Sequence, residues 1–218
     1  MEQKQNIPAP QANLVVLEKD RIRVYPLDQR EKWLMGRQTR NSQPDIPVNS
    51  KIVSRSHGWL MGVEGDWYYV DNPENLNGTF LNGSRIRRPV SGVRKPVSLH
   101  CGDVLRIDCE EADPDLDAVT MLYTTRPIRG RWQQHFLRES QLLTVGSGSG
   151  CDLRCPEGAV VQGKISGVNG RFYLEPCTGE IVLNGTVLRE PAVLRSGDCF
   201  AAGGSVYFFL GDRVIYEG

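Results

Sequence analysis

The chain has 218 residues, and its 26 Lys+Arg balance 26 Asp+Glu, so the formal net charge is zero. That balance excludes a non-specific nucleic-acid binder or a polybasic membrane binder, since both need a basic excess. Hydrophobic residues make up 39% of the chain, and no apolar run approaches the roughly 18 residues that cross a bilayer. Met1 to Gln11 is polar, without the apolar core of a secretion signal, so a cytoplasmic setting is expected. In that setting Cys101, Cys109, Cys151, Cys155, Cys177 and Cys199 are expected to stay thiols.

In chain order, short stretches with a period near two follow one another. They are Leu14–Leu17, Arg21–Tyr25, Gly58–Val63, Trp67–Val70, Val104–Ile107, Val119–Tyr123, Phe172–Leu174, Val206–Leu210 and Arg213–Tyr216. They are three to six residues long and rich in β-branched and aromatic side chains, which reads as strands. Turn signals separate them: Gly65-Asp66, Asn77-Gly78, Asn82-Gly83, Gly102-Asp103, Asn169-Gly170, Asn184-Gly185 and Gly197-Asp198. Asn-Gly accepts positive φ at both turn positions, as a tight hairpin demands. No segment keeps a helical period over three turns, and only Trp132–Ser140 is ambiguous. The expected class is all-β, built of packed antiparallel sheets.

The chain also repeats itself. Met35-Gly36, Asp45, Val53–His57, Gly65–Tyr68, Leu81–Gly83 and Cys101–Asp103 return in order as Val145-Gly146, Asp152, Val160–Lys164, Gly170–Tyr173, Leu183–Gly185 and Ser196–Asp198. Nine residues separate Asp45 from Ser54, and nine separate Asp152 from Val161. Two tandem sandwiches are therefore expected, over 13–126 and 131–218, with Pro127 and Gly130 breaking the pattern between them. On these landmarks Arg37 aligns with Ser147, Ser54 with Val161, Arg55 with Gln162, His57 with Lys164, and Asn77 with Gly179.

Gly36-Arg37, Ser54-Arg55-Ser56-His57, Asn77-Gly78-Thr79 and Asn82-Gly83 together resemble the forkhead-associated (FHA) domain pattern, over roughly Leu14 to Thr125. The resemblance implies a β-sandwich whose loops at one end bind a phosphothreonine peptide, and it implies no enzyme. Arg37, Ser54 and Arg55 would meet the phosphate, and Asn77 would hold the ligand backbone. His57 would brace the loop from inside. Gly36 belongs to the same motif, and Gly78, Thr79 and Asn82 would shape the turn beneath. The chemistry suits such a ligand: a phosphothreonine carries about −1.5 to −2 charges and three strong acceptor oxygens. Two guanidinium groups and a hydroxyl answer that with charge-assisted hydrogen bonds. Leu76 departs from the family, which often has a small residue or a hydroxyl there.

The second copy lacks each aligned phosphate contact, so it reads as a docking or structural unit. Two FHA copies, the first better kept, are also similar to the cytosolic start of membrane-bound FtsK/SpoIIIE-type ATPases of bacterial type VII secretion. The tail Tyr207–Tyr216 has the character of the segment leading toward that family's membrane helices. That resemblance implies a phosphothreonine-bearing protein or a secretion-system component as partner. It also implies tethering to the inner face of the cell membrane only through segments outside this chain. A stand-alone signalling adaptor and a phospho-independent docking module are the alternatives.

No cofactor, metal, catalytic residue or nucleic-acid partner is expected. Gly146–Gly150 lacks the third glycine and the following helix of a dinucleotide loop. Cys151 and Cys155 form a lone C-x3-C without a second pair. Asp113, Asp115 and Asp117 alternate as in a calcium loop, but Ala118 stands where glycine is required. Arg85, Arg87, Arg88, Arg94 and Lys95 form a basic run that reads as a solvated face.

Overall fold

A computed structural model describes residues 11–18, 21–86, 95–108, 118–128 and 130–217. The acidic alternation Asp113–Asp117, Cys109 and the basic residues Arg87, Arg88 and Arg94 lie outside the described residues. Among the described residues there is no α-helix, only a 3-10 turn at Leu27–Gln29, and no helix long and apolar enough to cross a membrane.

The first half contributes β1 (Asn13–Glu18), β2 (Arg21–Pro26), β3 (Lys32–Arg37), β4 (Ile46–Val48), β5 (Gly58–Val63), β6 (Asp66–Asp71), β7 (Thr79–Leu81), β8 (Ser84–Arg85), β9 (Val97–Leu99), β10 (Val104–Ile107) and β11 (Val119–Thr124). They form two sheets, ordered β2-β1-β11-β10-β7-β8 and β4-β3-β5-β6-β9. The second half contributes β12 (Trp132–Phe136), β13 (Leu142–Gly146), β14 (Leu153–Arg154), β15 (Gly163–Val168), β16 (Arg171–Pro176), β17 (Ile181–Leu183), β18 (Thr186–Val187), β19 (Ala192–Leu194), β20 (Cys199–Ala202), β21 (Ser205–Phe209) and β22 (Arg213–Glu217). Their sheets are ordered β12-β22-β21-β20-β17-β18 and β14-β13-β15-β16-β19. The ambiguous stretch from Trp132 is thus an edge strand, β12.

The two sandwiches repeat one plan with one exchange. β13 to β21 retrace β3 to β11 pair for pair. The place beside β11 that β1 fills is taken beside β21 by β22, and β12 stands where β2 does. The second sandwich therefore receives that strand from the far end of its sequence. Too little chain separates β11 from β12 to supply it from the front.

Five turns have the two positive φ values of the mirror-image type I hairpin: Glu64-Gly65 (52°, 92°), Asn82-Gly83 (49°, 75°), Asn169-Gly170 (51°, 75°), Asn184-Gly185 (50°, 81°) and Gly203-Gly204 (47°, 80°). Asn77-Gly78 is not among them, so that pair is no tight hairpin. Asn82 and Asn184 hold their turns identically. Each donates its amide to an aspartate, Asp103 at 2.8 Å and Asp198 at 2.9 Å, and accepts the next strand's first N–H, from Val104 and Cys199, both at 2.9 Å.

Each sandwich closes on its own core. Leu14, Val16, Met35, Leu60, Leu105, Ile107 and Met121 fill the first, and Leu143, Val145, Ile165, Leu174, Phe200, Tyr207 and Phe209 the second. A third cluster lies between the sandwiches, where Val15, Leu17, Val104 and Leu122 meet Cys199 and Phe208. This explains why every residue of β1 and β11 is buried: their alternate side chains serve two cores. Polar groups pin the same contact. Arg106 pairs with Asp198 at 2.8 Å, and the Thr120 hydroxyl donates to the Gly197 carbonyl at 2.6 Å.

Candidate functional site

The loop joining β4 to β5, residues 49–57, organises one pole of the first sandwich. Arg37 ends β3; its backbone N–H donates to the Ser54 carbonyl at 2.9 Å and its Nε to the Val53 carbonyl at 3.1 Å. That bond fixes one side of the guanidinium, and Arg37 has no acidic partner among the described residues. Asn77 approaches from the β6–β7 connection and donates its side-chain amide to the Ile52 carbonyl at 2.8 Å. Ser42, from the β3–β4 connection, donates to the Arg55 carbonyl at 3.3 Å. The end of β3 and two connections thus converge on successive carbonyls of one loop.

Gly36 permits the approach. A Cβ there would overlap the Arg55 carbonyl oxygen, so the loop can lie against β3 only over a glycine. Above this framework Ser54 is half-buried and Arg55 exposed, neither with an ion-pair partner among the described residues. Leu76, beside Asn77, is 87% exposed.

Beneath the loop lies a buried polar network. His57 is fully buried, and its Nδ1 accepts the Ser54 backbone N–H at 3.2 Å. The ring proton therefore sits on Nε2, which faces the Thr79 hydroxyl at 3.2 Å. Thr79 donates onward to Asp71 Oδ1 at 2.8 Å, which also accepts from the Tyr69 hydroxyl at 3.1 Å and the Asn75 amide at 3.0 Å. Asn75 reaches back to the His57 carbonyl at 2.6 Å, and Asn72 donates to the Ser56 carbonyl at 2.7 Å. Burial lowers the His57 pKa to about 4, so the ring is neutral at physiological pH. Burial, with the Asp71 charge second, holds the Tyr69 hydroxyl well above its usual range.

The structure thus brings Gly36, Arg37, Ser54, Arg55, His57, Asn77, Gly78 and Thr79 to one pole. Asn82 is not there. It sits at the opposite end of β7, where its carbonyl accepts the Thr186 hydroxyl of the second sandwich at 3.4 Å. Its role is the hairpin turn and the contact between sandwiches. Tyr69, Asp71, Asn72 and Asn75 were not legible as site residues, because each is ordinary at a strand end or in a turn. Only their convergence under His57 gives them a role.

The equivalent pole of the second sandwich corrects the sequence alignment. Met35 pairs with Gly58 and Val145 with Gly163, so His57 corresponds to Gln162, not Lys164. The backbone agrees: His57 N–H donates to Met35 at 2.9 Å and Gln162 N–H to Val145 at 2.7 Å. Ser54 then corresponds to Ala159 and Arg55 to Val160. The landmark spacing misled because Ile46 and Gly58 lie twelve positions apart but Leu153 and Gly163 only ten, so the second β4–β5-type loop is shorter. Ser147 takes the place of Arg37 and bonds its hydroxyl to the Gly158 carbonyl at 3.0 Å. Asp71 and Thr79 correspond to Pro176 and Ile181.

Among the described residues no three His, Cys, Asp or Glu side chains gather as a metal site. Residues 33–108 match the family model of the FHA domain. Over 63 residues, 28% of this chain, the sequence is 38% identical to the E3 ubiquitin-protein ligase DMA2 of Saccharomyces cerevisiae, of whose length the match spans 12%. Among solved structures, full-length yeast Pml1p aligns at 23% identity and TM-score 0.43, over 57% of this chain and 98% of that one. The N-terminal FHA domain of S. cerevisiae Rad53p, in complex with a phosphothreonine peptide, aligns at 20% and 0.40, over 52% and 92%. The N-terminal FHA domain of EssC, a component of the bacterial type VII secretion apparatus, aligns at 13% and 0.39, over 94% and 90%.

Proposed function

We propose that the FHA domain at residues 33–108 makes this protein a phosphopeptide-dependent interaction module. In this reading Arg37, Ser54 and Arg55 hold the phosphate of a phosphothreonine, and Asn77 orders the bound backbone. The carrying observation is the loop 49–57, with Arg37 and Asn77 docked on it and a neutral, fully buried His57 beneath. A preorganised loop keeps Ser54 and Arg55 in place before ligand arrives, which lowers the entropic cost of binding. The terminal nitrogens of Arg37 and the side chain of Arg55 supply charge, and an unphosphorylated threonine answers neither.

The division into units 13–126 and 131–218 belongs to this proposal, with the second acting as a docking and structural partner. So does a setting in the secretion ATPase EssC, supported by the order of a motif-bearing sandwich before a motif-poor one. An open reading frame running past Gly218 into apolar spans tests that setting; a frame without them rejects it.

The binding test is a phosphothreonine peptide library measured against the 218-residue protein, its Arg37→Ala and Ser54→Ala variants, and unphosphorylated controls. Phosphate-dependent binding that both substitutions weaken is expected. Partner binding indifferent to phosphate and to both substitutions would instead establish phospho-independent docking.

A further inference from the structure

Each of the four sheets leaves two edge strands among the described residues. β8, β14 and β18 have two residues each, and β4, β9 and β19 have three. β2 has six, but Arg21 and Arg23 lie along it and Pro26 closes it, and charges and proline are what guard an open edge. β12 holds the equivalent place on the second sandwich. Its five residues, Trp132-Gln133-Gln134-His135-Phe136, include neither proline nor Lys, Arg, Asp or Glu. Gln133 and Gln134 are exposed, and Phe136 is 54% exposed, with the Arg213 guanidinium 5.0 Å from its ring centre.

β12 pairs with β22 in a register that runs from Trp132 opposite Glu217 to Phe136 opposite Arg213. The Leu137 N–H donates to the Asp212 carbonyl at 2.8 Å, while the Arg213 carbonyl accepts the Leu210 N–H at 2.9 Å from the β21 side. Bonded and non-bonded pairs alternate along an antiparallel ladder, so Gln133 and His135 are the residues bonded to β22. Trp132, Gln134 and Phe136 therefore turn their N–H and C=O groups to the open edge. These three positions are symmetric about Gln134. The strand also reads nearly alike in both directions, with an aromatic ring at each end and polar side chains between.

We propose that this edge takes a second copy of the chain, as an antiparallel β12–β12 pair on a two-fold axis at Gln134. Gln134 then faces Gln134 of the other copy, and Trp132 faces its Phe136, each pair exchanging both backbone hydrogen bonds. Aromatic cross-strand pairs flank the axis on both sides. The charges agree with this register. Arg131 falls opposite Leu137, and Arg138 opposite Gly130, whose N–H is held by the Glu217 carboxylate at 2.8 Å. Arg138, without an ion pair among the described residues, thus approaches an acid, and no two like charges face each other. Pairing over five residues buries less than a standard interface, so the association is weak and grows with concentration. It does not depend on the phosphopeptide reading.

Sedimentation equilibrium of the whole protein, from micromolar to millimolar concentration, tests this. The mass is expected to climb from one chain toward two. Gln134→Pro removes an N–H that points away from β22, so the thermal transition holds while the dimer dissociation constant rises about 10-fold or more. Gln134→Lys and Gln134→Glu each set like charges face to face and lose self-association, and an equimolar mixture of the two recovers it as a heterodimer. A protein that stays monomeric at every concentration overturns the proposal, whether or not an extended segment of another protein adds to the same edge. A dimer undiminished by Gln134→Pro and by Gln134→Lys overturns it as well, as does a mixture that associates no better than either variant alone.

Discussion

The two sandwiches carry the same strands and the same Asn-Asp turn locks, yet their equivalent poles have diverged completely. In the first, an arginine, a serine and a second arginine sit over His57, Thr79, Asp71, Tyr69 and Asn75. In the second, Ser147, Ala159 and Val160 sit over Gln162, Ile181, Pro176 and Leu174. Both cores are apolar and, apart from the strand exchange, the difference between the poles lies in one set of loops and the polar layer under them. Scaffold and loop are therefore separable here: apolar alternation keeps the sandwich, and a buried hydrogen-bond network fixes the loop that the proposed function assigns to the ligand. Val160, at the place of Arg55, is 70% exposed; Ala159 and Val160 carry neither charge nor side-chain donor, and the Ser147 hydroxyl is spent on the Gly158 carbonyl.

The largest expected break comes from Arg37→Ala. Loss of a charge-assisted hydrogen bond costs about 1.5–3 kcal/mol, so phosphopeptide affinity measured by calorimetry falls roughly 10- to 150-fold while thermal stability holds. Next is Gly36→Ala, which pushes a Cβ into the Arg55 carbonyl and is expected to destabilise by about 1–3 kcal/mol in denaturant titration. Gly146→Ala meets the Val160 carbonyl and behaves alike, whereas Gly150→Ala has open space and is neutral.

A smaller effect distinguishes the poles by pH. His57 has a folded pKa of about 4 against an ordinary 6.5, so the unfolded chain binds the extra proton between those values. Its contribution to stability is present above about pH 6.5 and lost as the pH falls toward 4. Replacing it with the second pole's residue, His57→Gln, is expected to flatten the stability profile in that window. An unchanged slope would show that another group carries the titration. The smallest expected effect is none. Grafting Ser147→Arg, Ala159→Ser and Val160→Arg onto an Arg37→Ala background leaves phosphopeptide binding at the background level, because the polar layer is missing. Recovered binding would show that surface groups alone suffice.

The sandwich was legible in the sequence because its strands alternate and its Asn-Gly turns fall between them. Leu14–Leu17 was legible as a strand, but not as one buried on both sides, since its second neighbour is more than 180 residues away, at Phe208 and Cys199. β7 has only three residues and leaves no period to read. Arg37, Ser54, Arg55, His57 and Asn77, the residues of the proposed site, were picked out by motif order, and the fold brings them to one pole. Asp71, Asn72 and Asn75 were not, since a single sequence does not distinguish a turn aspartate from the floor of a buried network. Asn82 was assigned to the wrong end of its strand because motif order carries no direction in space. The two-residue slip in the repeat came from loop length, which backbone pairing reveals and composition does not.

The strand exchange has a consequence for how the chain matures during synthesis. The first sandwich is complete once β11 has left the ribosome, but the second waits for β22, which slots between β12 and β21. Until then Val15, Leu17 and Leu122 present an oily surface to solvent, without the Cys199 and Phe208 contacts of the folded protein. Slowing translation over the codons for residues 132–217 should lengthen that exposure and make the nascent protein more dependent on chaperones.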